Sequence, residues 1–189
     1  MSSSEYLAAE AASTVKHEYL CGEVLAMAGG TPEHAALSAS VIQELGAGLR
    51  GKPCRIFSSD LRVHVEATHL STYPDVTVVC GPIARSPLDE NAITNPVLIV
   101  EVLSNSTEAY DRGEKFAHYR HLPSLKEYLL VSQRERRLEL HRRNAAGRWE
   151  LFEAGTGEVL ELASLPGVTL ATDDVYRGSL PAELDPERR

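Results

Sequence analysis

Two runs near the middle of the chain are apolar almost throughout, and each is interrupted by a single acid. Tyr73-Pro74-Asp75-Val76-Thr77-Val78-Val79-Cys80 reads as a strand whose one carboxylate is Asp75. Asn95-Pro96-Val97-Leu98-Ile99-Val100-Glu101-Val102-Leu103 has the near-continuous apolar character of a strand buried on both faces, yet it carries Glu101. A helical segment, Tyr110 to Tyr119, follows and contains Lys115. An unpaired carboxylate is expensive to bury, so an acid in a core strand implies a charged partner or a metal.

The flanking pattern is that of a mixed chain. Ser3 to Glu10 predicts a short capped helix, and Lys16 to Met27 a hairpin turning at Cys21-Gly22. Thr31 as N-cap with Pro32 at the first helical position predicts a helix running to about Arg50. Its apolar residues Ala35, Leu37, Val41, Ile42, Leu45 and Leu49 form one buried stripe. Strands are expected at Cys54–Phe57, Leu61–Val65, Lys126–Ser132, Arg137–Arg143, Trp149–Glu153 and Glu158–Leu162, with a bend at Pro166-Gly167. The order predicts an α/β core with appended antiparallel hairpins. The 189 residues suit one domain, residues 1–180, followed by a charged and frayed tail at 181–189.

Composition narrows the function classes. Met1 to Val15 lacks the long apolar run of a signal peptide, and no stretch approaches the roughly 20 apolar residues of a membrane span. Cys21, Cys54 and Cys80 are far apart, with no CxxC pair, and read as reduced thiols of a cytoplasmic protein. The net charge of −8 argues against a general nucleic-acid coat protein. From Asp111 to Arg148, however, ten Lys/Arg stand against five Asp/Glu, a local +5 that leaves −13 elsewhere. That window is either a phosphate-facing patch or the solvated surface of a hairpin.

Two acids on successive strands with a lysine just beyond suit metal-dependent hydrolysis of phosphodiesters. Mg²⁺ is held by one or two carboxylates plus water and substrate phosphate, and Asp75 and Glu101 are the candidate ligands. Lys115 is the candidate for orienting water or stabilising charge on phosphorus. The bland alternative is a turn-capping Asp75 and a Glu101–Lys115 ion pair. His34 is either a phosphate contact or proton shuttle, or a surface histidine near a helix start. Asp60 suits a turn, and Tyr119, four residues after Lys115, suits packing.

Pro74-Asp75 followed by Glu101-Val102-Leu103 resembles the PD-(D/E)XK superfamily, the restriction-endonuclease-like fold. Gly22-Glu23-Val24, Thr31-Pro32-Glu33-His34, Ser59 to Val63, Pro96 to Ser106 and Asp111 to Tyr119 resemble its branch of uncharacterised prokaryotic restriction endonucleases. The resemblance spans about Tyr6 to Tyr176. It implies an α-β-β-β-α-β core with Asp75 and Glu101 as metal ligands. The superfamily's lysine belongs two residues after the acid, where this chain has Leu103; the resemblance implies that Lys115 replaces it. It also points to Glu23, which the residues alone leave as an exposed hairpin acid.

The expected function is a cytoplasmic, Mg²⁺-dependent nuclease (Mn²⁺ an alternative ion) acting on DNA. The expected assembly is a homodimer joined through Leu138-Leu140 or Trp149-Phe152, and an unidentified targeting partner is the further partner weighed. The competing reading is a catalytically silent scaffold that serves as a binding or assembly subunit.

Overall fold

Side-chain caps start the first helices where the sequence places them. In this computed structural model, which describes residues 1–27 and 29–178, Ser2 and Glu5 form a capping box ahead of α1 (Ser3–Ala12). β1 (His17–Leu20) and β2 (Glu23–Ala26) form the expected hairpin. Its turn takes two positive φ values, 48° at Cys21 and 101° at Gly22, as a two-residue hairpin loop requires. Thr31 caps α2 (Pro32–Gly48) by accepting from the His34 amide, with Pro32 in the first turn.

The strands then come in quick succession: β3 (Cys54–Ser58), β4 (Arg62–Val65), β5 (Leu70–Thr72), β6 (Val76–Cys80), β7 (Ala92–Ile93) and β8 (Leu98–Val102). A helical stretch follows, in which α3 (Glu108–Tyr110) and α4 (Phe116–Tyr119) flank a π-helical turn at Asp111–Lys115. β9 (Glu127–Val131), β10 (Leu138–Arg143), β11 (Trp149–Ala154), β12 (Val159–Glu161), β13 (Thr169–Ala171) and α5 (Thr172–Val175) complete the described chain.

Six strands form the central sheet in the order β11-β10-β9-β8-β6-β3, and five form a second sheet, β2-β1-β5-β4-β7. β8 and β9 are parallel, joined by the α3–α4 crossover, while the other central pairs are antiparallel. The succession α2, β3, β6, β8, α3–α4, β9 is therefore an α-β-β-β-α-β core. Leu61–Val65 does form a strand, as expected, but it pairs in the second sheet with β5 and β7, two strands absent from the sequence reading.

Alternation along β8 divides the interior into two clusters. Leu98, Val100 and Val102 pack with Leu37, Val41 and Leu45 of α2. Ile99 and Leu103 pack on the opposite face with Val63, Val65 and Leu70 of the second sheet and with Phe116 and Tyr119. Each fully buried aliphatic side chain contributes about 1.5–3 kcal/mol. Glu101 shares its strand face with Ile99 and Leu103, so its carboxylate enters the layer between the two sheets.

Two expectations are corrected here. Cys54 and Cys80 are not free thiols: the β3–β6 register sets them directly opposite, and they form a disulfide, leaving Cys21 exposed and free. Sequence spacing could not reveal that pairing because it depends on the strand register. Leu138 and Leu140 are fully buried and offer no interface, whereas Leu151 and Phe152 on β11 are 51% and 38% exposed. Among the described residues no helix is long and apolar enough to cross a membrane. The tail at 181–189 lies outside the described residues.

Candidate active site

Cross-strand register builds the centre of the site. β6 and β8 pair antiparallel with Val76 opposite Val100, so one step beyond, Asp75 faces Glu101 on the same side of the sheet. The Asp75 amide donates to Glu101 Oε2 at 3.4 Å, and Asp75 Oδ2 accepts from the Val102 amide at 2.8 Å. These bonds fix the Asp75 carboxylate beside the end of β8.

The crossover helix brings Lys115 back over this strand. Its Nζ lies 3.0 Å from Glu101 Oε1, 3.0 Å from Glu18 Oε1 and 3.5 Å from Asp111 Oδ1. Asp111 and Lys115 bracket the π-helical turn, and both are buried; widened turns of this kind are frequent at functional sites. Tyr119 packs in the inner cluster, as expected, and also donates its hydroxyl to Glu101 Oε1 at 2.8 Å. Leu103, in the superfamily's usual lysine position, is buried among apolar side chains.

α2 supplies the other wall. His34 Nε2 lies 3.2 Å from Asp75 Oδ2. A Cβ on residue 30 would come within 2.8 Å of the His34 ring, so Gly30 leaves the imidazole its room. Four of the five expected residues, Asp75, Glu101, Lys115 and His34, therefore line one cavity of about 360 Å³. Glu23 does not: it is exposed at the turn end of β2, because the hairpin directs Glu18, opposite Leu25, toward the site.

Glu18 and Asp111 are the residues the sequence reading missed. Glu18 is buried, accepts from Thr72 Oγ1 and contacts Lys115. Its signal was period two: Glu18 shares a strand face with Leu20, which packs against the inner cluster. Asp111 lay hidden in a segment whose charges fall on every helical face.

The electrostatics follow from three carboxylates around one ammonium, with Asp75 beside them. Burial raises Glu101 above the usual carboxylate range, with Lys115 opposing and Asp75 and Asp111 reinforcing the shift. Burial likewise raises Asp111. Burial would depress Lys115, but Glu101, Glu18 and Asp111 outweigh it and hold the amine charged. His34 is raised chiefly by its bond to Asp75. Among the described residues no group of three or more His, Cys, Asp or Glu forms a ready-made metal cage. Asp75 and Glu101 together still match the small carboxylate set that Mg²⁺ takes alongside water and phosphate.

The arginine-rich window proves to be largely paired. Arg137 contacts Glu135, Glu139 and Glu153; Arg142 contacts Glu127; Arg112 bonds Glu139 and Glu108. Arg134 stands at the cleft, bonded to Asn105 Oδ1 and 3.6 Å from Glu108.

Comparison with known proteins agrees with this architecture. A protein of Synechocystis called "Uncharacterized protein slr1290" is 42% identical over 178 residues, covering 94% of this chain and 92% of its own. A second from that organism, "Uncharacterized protein sll1609", is 34% identical over 153 residues, covering 81% and 86%. The crystal structure of a "putative nuclease belonging to DUF820" from Anabaena variabilis superposes with a TM-score of 0.71 over 89% of this chain and 93% of that one. At 18% identity that likeness speaks for the fold, which is nuclease-like. The family model of Uma2, described as "Putative restriction endonuclease", matches residues 3–173, and with nearly the whole described chain inside that match, the protein belongs to the Uma2 family.

Proposed function

We propose that this protein is a Mg²⁺-dependent nuclease that hydrolyses phosphodiester bonds in DNA. The observation that carries the reading is the meeting of Asp75, Glu101 and Lys115 in one cavity, from two strands and a helix, with a surplus of carboxylate around a single ammonium. A divalent cation would offset that surplus. Asp75 and Glu101 would hold Mg²⁺, or Mn²⁺ in its place, which when bound polarises a phosphoryl oxygen and lowers the pKa of water.

The remaining roles belong to side chains already in position. Lys115, kept charged by its acidic neighbours, places positive charge where negative charge accumulates on phosphorus. Tyr119 and Lys115 orient Glu101, and the Val102 amide orients Asp75. His34, engaged through Nε2 by Asp75 Oδ2, helps hold that carboxylate in place. Cleavage of labelled DNA with and without Mg²⁺, by the wild type and by Asp75→Ala, tests the reading. Metal-independent products, or products undiminished in the variant, would refute it.

A second reading, a silent scaffold acting as a binding subunit, draws on one feature. Both Glu101 oxygens already have protein partners: Lys115 and Tyr119 on Oε1, and the Asp75 amide on Oε2. Calorimetric titration of Mg²⁺ separates the two. The nuclease reading expects weak binding that Glu101→Gln abolishes, and the scaffold reading expects none in either protein.

A further inference from the structure

We infer that the cleft is shaped for a single DNA strand, taking one nucleotide into the cavity above the acids and leading the adjoining phosphate toward Gln133 and Arg134. The inference rests on the nuclease reading for the identity of the ligand.

Depth is the first ground. Glu101, Asp111 and Lys115 are only 3–5% exposed, at the floor of a cavity of about 360 Å³. That volume lies at the small end of the roughly 300–1,000 Å³ typical of small-molecule sites. A duplex lying across the mouth keeps its phosphates outside, whereas one extruded or unpaired nucleotide can reach the floor.

The walls are the second ground. Leu25, Met27 and Tyr110 line the cavity together with the acids, an apolar and aromatic lining against which a base can stack. Leu25 is 52% exposed, so its side chain is accessible to a base entering the cavity.

Scarcity of cations is the third. Duplex DNA carries one charge per roughly 1.7 Å of axis, and its binders match that with many lysines and arginines. This cavity offers Lys115, already shared by three acids, and His34. A second hollow of about 390 Å³ continues from it, sharing Thr31, Ser104, Ser106 and Gln133 and adding Glu33, Asn105 and Arg134. Along this path the buried Gln133 Nε2 and Tyr110 Oη have no hydrogen-bond partner among the described residues. Two idle donors and one guanidinium suit the backbone of one strand.

The test is fluorescence anisotropy with a labelled 12-nucleotide single strand and the same sequence as a blunt duplex, using the full Asp75→Ala chain so that the DNA stays intact. Cleavage of both by the wild type in Mg²⁺ is measured in parallel. Single-strand affinity at least tenfold above duplex affinity is expected. In Asp75→Ala/Arg134→Gln the affinity should fall and the log–log salt slope should shrink by roughly 0.7, the value for one phosphate contact on a single strand. Equal or tighter duplex binding overturns the inference, and wild-type cleavage of that duplex leaves the nuclease reading standing. Single-strand preference without any wild-type cleavage supports the strand path and refutes the nuclease reading. Binding of neither DNA overturns the inference.

Discussion

Lys115 is a buried cation whose environment makes two demands of it. Glu18, Glu101 and Asp111 surround its ammonium, so Lys115→Ala leaves three carboxylates without their counter-charge. Breaking a buried ion pair from one side costs about 3–5 kcal/mol. Thermal melts of Lys115→Ala should show a loss of that size at pH 8 and a smaller one at pH 5, where the abandoned acids can take up protons. An equal loss at both pH values would contradict the ion-pair account. Cleavage by the same variant should drop by about 100-fold or more, the usual effect of removing a positioned electrostatic group. Lys115→Arg should not restore it, because a planar guanidinium does not replace a compact ammonium among three oxygens.

Glu101 supplies the pH dependence. Its folded pKa is raised, chiefly by burial, so the native state favours the protonated form. Ionising this group therefore costs stability as pH rises from the ordinary carboxylate range through the raised value. The metal-free wild type should lose melting temperature over that interval relative to Glu101→Gln. Mg²⁺ affinity should move the opposite way, strengthening with pH, because the ligand is the carboxylate. Calorimetry across the pH series checks both; affinity flat in pH would remove Glu101 from the ligand set. Asp75 and Glu101 were legible in the sequence because each interrupts an apolar run. Glu18 was not, since an acid in a short hairpin looks solvated until the register and the second sheet are known.

At the scale of elements, capping and periodicity located α1, α2 and the long strands, since their signals are local. β5, β7 and β13 have three, two and three residues, too few for alternation to declare itself; partners elsewhere in the chain define them. The same dependence on register hid the Cys54–Cys80 bond, which ties edge strand β3 to β6. A cross-link closing a loop of 26 residues stabilises by roughly 3–4 kcal/mol in the chain-entropy view. Cys54→Ser should therefore melt below the wild type without reductant, and the gap should close when dithiothreitol is added. A gap that persists in full reductant would assign the loss to packing instead of the cross-link.

For the molecule as a whole, an α/β core with antiparallel hairpins was readable from element order and its α-β-β-β-α-β succession was implied by the family resemblance, while the second sheet, and with it Glu18, was not. That sheet closes over the inner face of the central one and turns two strand acids into a walled cavity. The local positive balance of the arginine-rich window is mostly spent on neighbouring acids, so the described residues present few free cations near the cleft. On the outer edge, β11 exposes Leu151 and Phe152, and we propose this edge as the contact of a homodimer. Sedimentation velocity should give twice the chain mass for the wild type and a monomer for Leu151→Lys; a wild-type monomer would dismiss the proposal.

The most direct test of the central claim is cleavage of end-labelled DNA by the purified chain, with Mg²⁺, with Mg²⁺ plus excess EDTA, and with Mg²⁺ for the Asp75→Ala variant. The account predicts products in the first reaction alone. Products that survive chelation, or that Asp75→Ala generates at the wild-type rate, would contradict it.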